Sequence, residues 1–163
     1  VRLRDLLPID RAPLAALLSK VGNLNEDECA VALELVDEKL EKPDTSTYRF
    51  FMAVDDVGTE ERLLGYLCWG RTPMTERTVD LYWIVVDQAL QGRGVGRFLL
   101  VALEDQMRDE GLLTIRVETA SSEAYNGTIA FYEKTAFELS GRIRDFYKDD
   151  DDLLIFTKRI ASR

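Results

Sequence analysis

Six residues, Gln91-Gly92-Arg93-Gly94-Val95-Gly96, stand where an apolar strand pattern gives way to an amphipathic helix pattern. Such a junction exposes backbone N–H groups at the positive end of a helix dipole, and the two together attract an anion. Glycine suits this task because a missing side chain lets backbone approach phosphate oxygens and adopt the unusual dihedrals of a concave N–H nest. Arg93 and Arg97 add local positive charge to a chain whose formal net charge is −9. Pyrophosphate is the natural ligand, although the same six residues also serve as a plain turn between strand and helix. Spelling excludes two other phosphate motifs: the dinucleotide fingerprint requires glycine where Arg97 stands, and the nucleotide P-loop requires Gly-Lys-Ser/Thr.

The chain of 163 residues contains no histidine. Imidazole-based triads, His-ligated zinc and zinc-dependent deaminase chemistry therefore lack their essential group. Any general base is Asp, Glu, Tyr, Lys or water. Cys68 lies in an apolar strand pattern with nothing to activate it, so a covalent intermediate on its thiol is not expected. Cys29 and Cys68 fall in a helix-like and a strand-like segment far apart, which favours two reduced thiols. The run Asp149-Asp150-Asp151-Asp152 reads as a solvated turn, with a cation or amine site as the sharper alternative. The acidic balance, without any Lys/Arg cluster, argues against nucleic acid as a partner.

The elements that position these residues follow from periodicity. Val1 to Leu7 alternates as a short strand, and a helix follows from Asp10 to near Gly22. Asn25 and Glu28 have capping-box spacing ahead of a helix that Pro43 halts near Glu41. Tyr48 to Val57 and Leu63 to Gly70 read as strands joined by the polar stretch Asp55 to Glu61. In Thr78 to Val86 both alternating faces are largely apolar, Asp80 excepted, so an internal strand covered on both sides is expected. A helix through Phe98, Leu103 and Met107 ends at Gly111. Then come a strand over Leu112 to Thr119, a helix over Tyr125 to Thr135, and strands over Phe137 to Arg144 and Leu153 to Lys158. There are no internal repeats and no linker, and 46% hydrophobic content suffices for one core, so residues 1–163 are expected to form a single domain. No stretch reaches the roughly 18–20 apolar residues of a membrane span, and Val1 to Asp5 lacks a signal peptide's apolar core, so a cytoplasmic chain is expected.

Gln91, Gly94 and Gly96 after a strand, with Phe131-Tyr132-Glu133-Lys134-Thr135-Ala136-Phe137 on a later helix, resemble the GNAT superfamily of N-acetyltransferases. Its signatures are Gln/Arg-x-x-Gly-x-Gly/Ala and Phe/Leu-Tyr-x-x-x-Gly-Phe. These motifs cover about Asp80 to Phe137, and the order of elements matches over most of the chain. Two departures stand out: Ala136 replaces the usual glycine, and Tyr125 holds the place of a pantetheine-contacting asparagine, with Asn126 one residue late. The tail from Arg144 to Tyr147 and Leu153 to Arg159 is similar to that of members acetylating protein N-termini, a likeness many other members share.

The resemblance implies an α/β (α+β) fold, a mixed, twisted sheet of about seven strands flanked by about four helices, with acetyl-CoA wedged where two central strands splay apart. It implies an acetyl-CoA-dependent N-acetyltransferase that moves the acetyl group directly to a primary amine of a small molecule, peptide or protein. The alternatives are an acyl-CoA-sensing module without turnover and a transferase for a longer acyl-CoA. Gln91, Gly92, Arg93, Gly94, Val95, Gly96 and Arg97 would hold the pyrophosphate. Ile84, Val85 and Val86 would pair through their backbone with the pantetheine arm, with Asn126, Phe131 and Tyr132 completing the cofactor contacts. Tyr132 would protonate the departing thiolate, and Glu118 or Asp80 would take the amine's proton; the plain reading of Glu118 is an ion pair with Arg116 or Arg142. The expected partners are acetyl-CoA and a cationic amine acceptor such as a polyamine, antibiotic, peptide N-terminus or lysine. Neither nucleic acid nor membrane is expected, and a homodimer is left open. No metal is implied.

Overall fold

A computed structural model describes residues 1–161. Seven strands form one sheet in the order β1-β2-β3-β4-β5-β7-β6. They are β1 (Arg2–Arg4), β2 (Arg49–Val57), β3 (Glu60–Arg71), β4 (Thr78–Val86), β5 (Thr114–Ala120), β6 (Glu138–Lys148) and β7 (Asp151–Arg159). The helices are α1 (Arg11–Lys20), α2 (Glu26–Glu41), α3 (Val95–Asp109) and α4 (Asn126–Lys134). Short 3-10 turns at Pro8–Asp10, Gln88–Leu90 and Glu123–Tyr125 lead into helices or loops. The sheet is antiparallel in β1–β2, β2–β3, β5–β7 and β6–β7, and parallel in β4–β5. No helix among the described residues is long and apolar enough to cross a membrane.

The chain divides into two compact units. The first comprises Val1–Gly70 and Trp83–Leu103; the second comprises Arg71–Tyr82 and residues from Glu104 onward. In the first, Leu14, Leu17 and Leu18 of α1 and Ala32 and Val36 of α2 share one apolar core with Phe50, Met52, Val54, Tyr66, Cys68 and Val85. Asn25 accepts from the Glu28 N–H at 2.8 Å, and Glu28 returns the bond to the Asn25 N–H at 2.8 Å, the reciprocal cap that the spacing foretold. Gly65 carries the closest backbone approach: a Cβ there would sit 2.6 Å from the Val85 carbonyl oxygen and 3.2 Å from Val86 Cα. Only glycine lets β3 and β4 lie so close.

In the second unit, α3 and α4 end alike. After α3, Gly111 takes φ 68° while the Leu112 N–H bonds to Met107 O at 2.8 Å. After α4, Ala136 takes φ 66° while the Phe137 N–H bonds to Tyr132 O at 2.9 Å. Both are Schellman ends, so the alanine standing for the family's glycine occupies the left-handed position that glycine favours.

Three expectations need correction. The strand expected from Leu63 starts three residues earlier: β3 begins at Glu60, which pairs with Val57, the expected end of the strand before it, around a hairpin turn at Gly58 and Thr59. The acidic run is a turn only at Asp149 and Asp150. Asp151 and Asp152 open β7 and are buried, because backbone and arginine donors satisfy them: Asp151 accepts from the Ser122 N–H at 3.0 Å, and Asp152 from the Asp145 N–H at 2.8 Å and from Arg142. β4 is covered on both faces only near its start, where Val79, Asp80 and Leu81 are buried, while Tyr82 is 36% exposed and Trp83, Ile84 and Val86 are half-buried. At the far edge β6 bulges: Ile143 pairs with Leu153 and Lys148 with Asp151, so Arg144 to Tyr147 face Asp152 alone.

Candidate functional site

The glycine-rich loop, the candidate anion site, belongs to the first unit. β4 ends at Val86, and Asp87 turns the chain: its N–H bonds to Leu64 O at 2.9 Å, while its carboxylate accepts from the Ala89 N–H at 2.9 Å and from Arg62 at 3.0 Å. Those two donors, the backbone one foremost, hold the Asp87 carboxyl below its ordinary range. The loop then runs Gln91 to Gly94 with Gly92 at φ 76° and Gly94 at φ 90°, left-handed values that other residues rarely adopt. A Cβ at either glycine would meet nothing within 4 Å. Both glycines face solvent, as do Arg93 and Arg97. Val95 opens α3, and the first N–H used inside the helix is that of Phe98, bonded to Gly94 O at 2.9 Å. The N–H groups of Gly94 to Arg97 are therefore the unspent donors of a helix start, whereas that of Arg93 bonds to Leu90 O at 3.1 Å, and the open cradle of glycines beside two arginines fits a pyrophosphate. Ile84 and Val86 are half-buried and Val85 is buried in the apolar core of its unit.

The proton-handling candidates belong to the second unit. Tyr132 is 4% exposed. Its ring packs against Phe131, Phe137 and Phe156 at centroid distances of 5.6, 5.2 and 5.8 Å. Burial pushes its phenol pKa up, so the group keeps its proton at neutral pH. Asn126 is exposed at the first position of α4. The α4 C-terminus is fixed by Lys158, which donates to Thr135 O at 2.8 Å and to Glu104 at 2.5 Å.

The two carboxylates differ sharply. Asp80 is buried and bound by Arg116, whose Nε donates to Asp80 Oδ1 at 2.7 Å. Glu118 lies two residues along β5 from Arg116, with its side chain 47% exposed and its Oε1 3.9 Å from Arg116 Nη1. The parallel pairing of β4 with β5 joins Thr78–Asp80 to Thr114–Arg116 and is three residues long. That register sets Asp80 directly opposite Arg116. Sequence reasoning linked Arg116 to Glu118 and missed Asp80, because nothing local in the chain encodes which β5 residue faces which β4 residue. Arg142, the other partner considered for Glu118, is occupied by Asp152.

The model of the Acetyltransferase (GNAT) family matches residues 20–137. A solved structure from Desulfovibrio desulfuricans, assigned to the GNAT acetyltransferases, is 34% identical, aligns over 98% of this chain and 99% of its own, and has a TM-score of 0.91. The N-alpha-acetyltransferase RimI of Mycobacterium tuberculosis is 33% identical over 103 residues, 63% of this chain and 61% of RimI; the match thus spans less than two thirds of that relative's length. An aminoglycoside 6'-N-acetyltransferase solved in complex with coenzyme A shares the fold at 18% identity, covering 100% of this chain and 99% of its own with a TM-score of 0.73.

Proposed function

Since the chain belongs to the Acetyltransferase (GNAT) family, we propose that it is a single-domain N-acetyltransferase that moves the acetyl group of acetyl-CoA directly to a primary amine. The observation that carries this reading is the loop from Gln91 to Gly96, whose left-handed Gly92 and Gly94 and unspent helix-start N–H groups open to solvent. The loop binds the pyrophosphate of the cofactor, Arg93 and Arg97 balance its charge, and the backbone of Ile84 to Val86 pairs with pantetheine amides as an added strand does. Asn126 and Phe131 complete the cofactor contacts.

Attack on a thioester requires a neutral amine. A lysine-like amine with pKa near 10.4 loses roughly 4–5 kcal/mol to deprotonation at neutral pH, whereas an N-terminal α-amine loses roughly 1 kcal/mol. Glu118 takes that proton, since its carboxylate is open to solvent while Asp80 is committed to Arg116. The amine nitrogen then bonds to the thioester carbon, the C–S bond breaks, and Tyr132 protonates the departing thiolate; the second proton on nitrogen leaves to water, which returns a proton to Tyr132. An N-terminal α-amine is the acceptor favoured by the low deprotonation cost and by the likeness to RimI. The formal charge of −9 favours a cationic acceptor over nucleic acid or an anionic membrane surface. Free Cys29 and Cys68 accord with a reducing compartment such as the cytoplasm.

Calorimetric titration with acetyl-CoA, then thiol release in the presence of a peptide with a free N-terminal alanine, a polyamine and an aminoglycoside, tests the reading. Saturable acetyl-CoA binding with turnover of one amine is expected. Binding without turnover of any amine favours a sensing module, tighter binding of a longer acyl-CoA favours a different donor, and no binding overturns the assignment.

A further inference from the structure

We propose that Arg116 is a positioning residue for the Glu118 base, an inference that rests on the acetyl-transfer reading above. The guanidinium is held at one end and open at the other. Its Nε donates to Asp80 at 2.7 Å, where the Asp80 side chain is only 11% exposed, while Nη1 reaches within 3.9 Å of the Glu118 carboxylate, 47% exposed. Because a guanidinium is a rigid planar fork, anchoring Nε also fixes where Nη1 points. Glu118 alone, on an open strand face, would sample several rotamers; a cation fixed beside it narrows them. Hydrogen bonding to Asp80, against the cost of burial, raises the Arg116 pKa, so the cation is permanent.

The same arrangement gives Asp80 its purpose. A buried carboxylate is tolerated where it is paired, and here it serves as the anchor of Arg116. Alternation along the strands and the cross-strand register set the neighbours of Glu118. Arg116 on β5 and Asp80 and Tyr82 on β4 share its face. On β7 that face carries Ile155 and Thr157, both uncharged, and on β6 it carries Gly141 and Glu138. Asp80, Arg116 and Glu118 together sum to one negative charge, concentrated at the open end. That end attracts an acceptor ammonium; Glu118 accepts one of its protons, the nitrogen lone pair is freed, and Arg116 stays charged throughout.

The test is the pH dependence of kcat, with the amine turned over fastest by the wild type held at saturation, for Arg116→Met, Arg116→Lys, Asp80→Asn and Glu118→Gln. A unit charge at about 4 Å, screened nearly as in water because the Arg116–Glu118 pair is half-exposed, moves the acid limb by roughly 0.5–1 pH unit. Arg116→Met removes the cation, so the limb moves up; Asp80→Asn leaves the cation unbalanced, so the limb moves down. Arg116→Lys keeps charge without the fork, giving a smaller upward shift and partial recovery of kcat, and Glu118→Gln removes the limb. In all four, acetyl-CoA affinity stays within about twofold. If Arg116→Met does not fold, the opposed signs of Arg116→Lys and Asp80→Asn carry the test. An unmoved limb, or shifts of the same sign in both, with only the melting temperature lowered, makes the ion pair merely structural and overturns the proposal. Absence of wild-type turnover with every amine instead overturns the acetyl-transfer reading itself.

Discussion

The anion loop and the charged face of β4 and β5 are built from opposite materials. From Asp87 to Gly96 the chemistry resides in backbone: N–H groups, two left-handed glycines and a helix start, all within ten consecutive residues. At Asp80, Arg116 and Glu118 it resides in side chains drawn from two strands, whose juxtaposition depends on a register only three residues long. A backbone site tolerates little change in conformation yet much change in neighbouring side chains, whereas a side-chain site tolerates the reverse. Substitutions that alter dihedral freedom should therefore damage the loop, and substitutions that keep shape but alter charge or protons should damage the other face.

The largest effect is expected from Gly94→Glu. It sets a carboxylate and a strained left-handed residue at the proposed pyrophosphate site, so acetyl-CoA affinity should fall at least about 100-fold by calorimetry, roughly 3 kcal/mol, with the circular dichroism spectrum retained. Next is Tyr132→Phe, which keeps the aromatic packing and removes only the hydroxyl. A loss of about 10- to 100-fold in kcat is expected, with acetyl-CoA affinity and thermal stability nearly unchanged; full activity removes Tyr132 from the reaction. Gly65→Ala comes third. The added methyl meets the Val85 carbonyl at 2.6 Å, so β3 and β4 must move apart at a cost of about 1–3 kcal/mol, lowering the melting temperature and weakening acetyl-CoA binding together. Smallest is Ala136→Gly, which relieves a left-handed alanine at φ 66° and should stabilise by about 1 kcal/mol, seen as a melting temperature several degrees higher with kcat unchanged.

The same contrast explains what the sequence made legible. Caps and glycine ends are local, so Asn25 with Glu28, the stop at Gly111 and the loop itself could be read directly from spacing. A strand start blurred where polar residues continue a ladder, as Glu60, Glu61 and Arg62 do. Burial of Asp151 and Asp152 was hidden because a run of four acidic residues reads as solvated, whereas Ser122, Asp145 and Arg142 supply the donors that make burial tolerable. The partnership of Asp80 with Arg116 spans 36 residues and rests on strand register, which no local pattern encodes.

The bulge in β6 bears on how this edge of the sheet meets other chains. β6 ends the sheet order, and it exposes Leu139, Ile143, Phe146 and Tyr147 along its length. A long, flat, apolar edge of this kind invites another chain to add as a further strand. Because Arg144 to Tyr147 swell away from β7, with Asp145 at φ 51°, the row of free backbone groups is broken, and Arg142, Arg144 and Lys148 line it with positive charge. An incoming strand finds only short, interrupted lengths to pair with, so straightening this segment by deletion would favour fibrous self-association even where folding and catalysis survived.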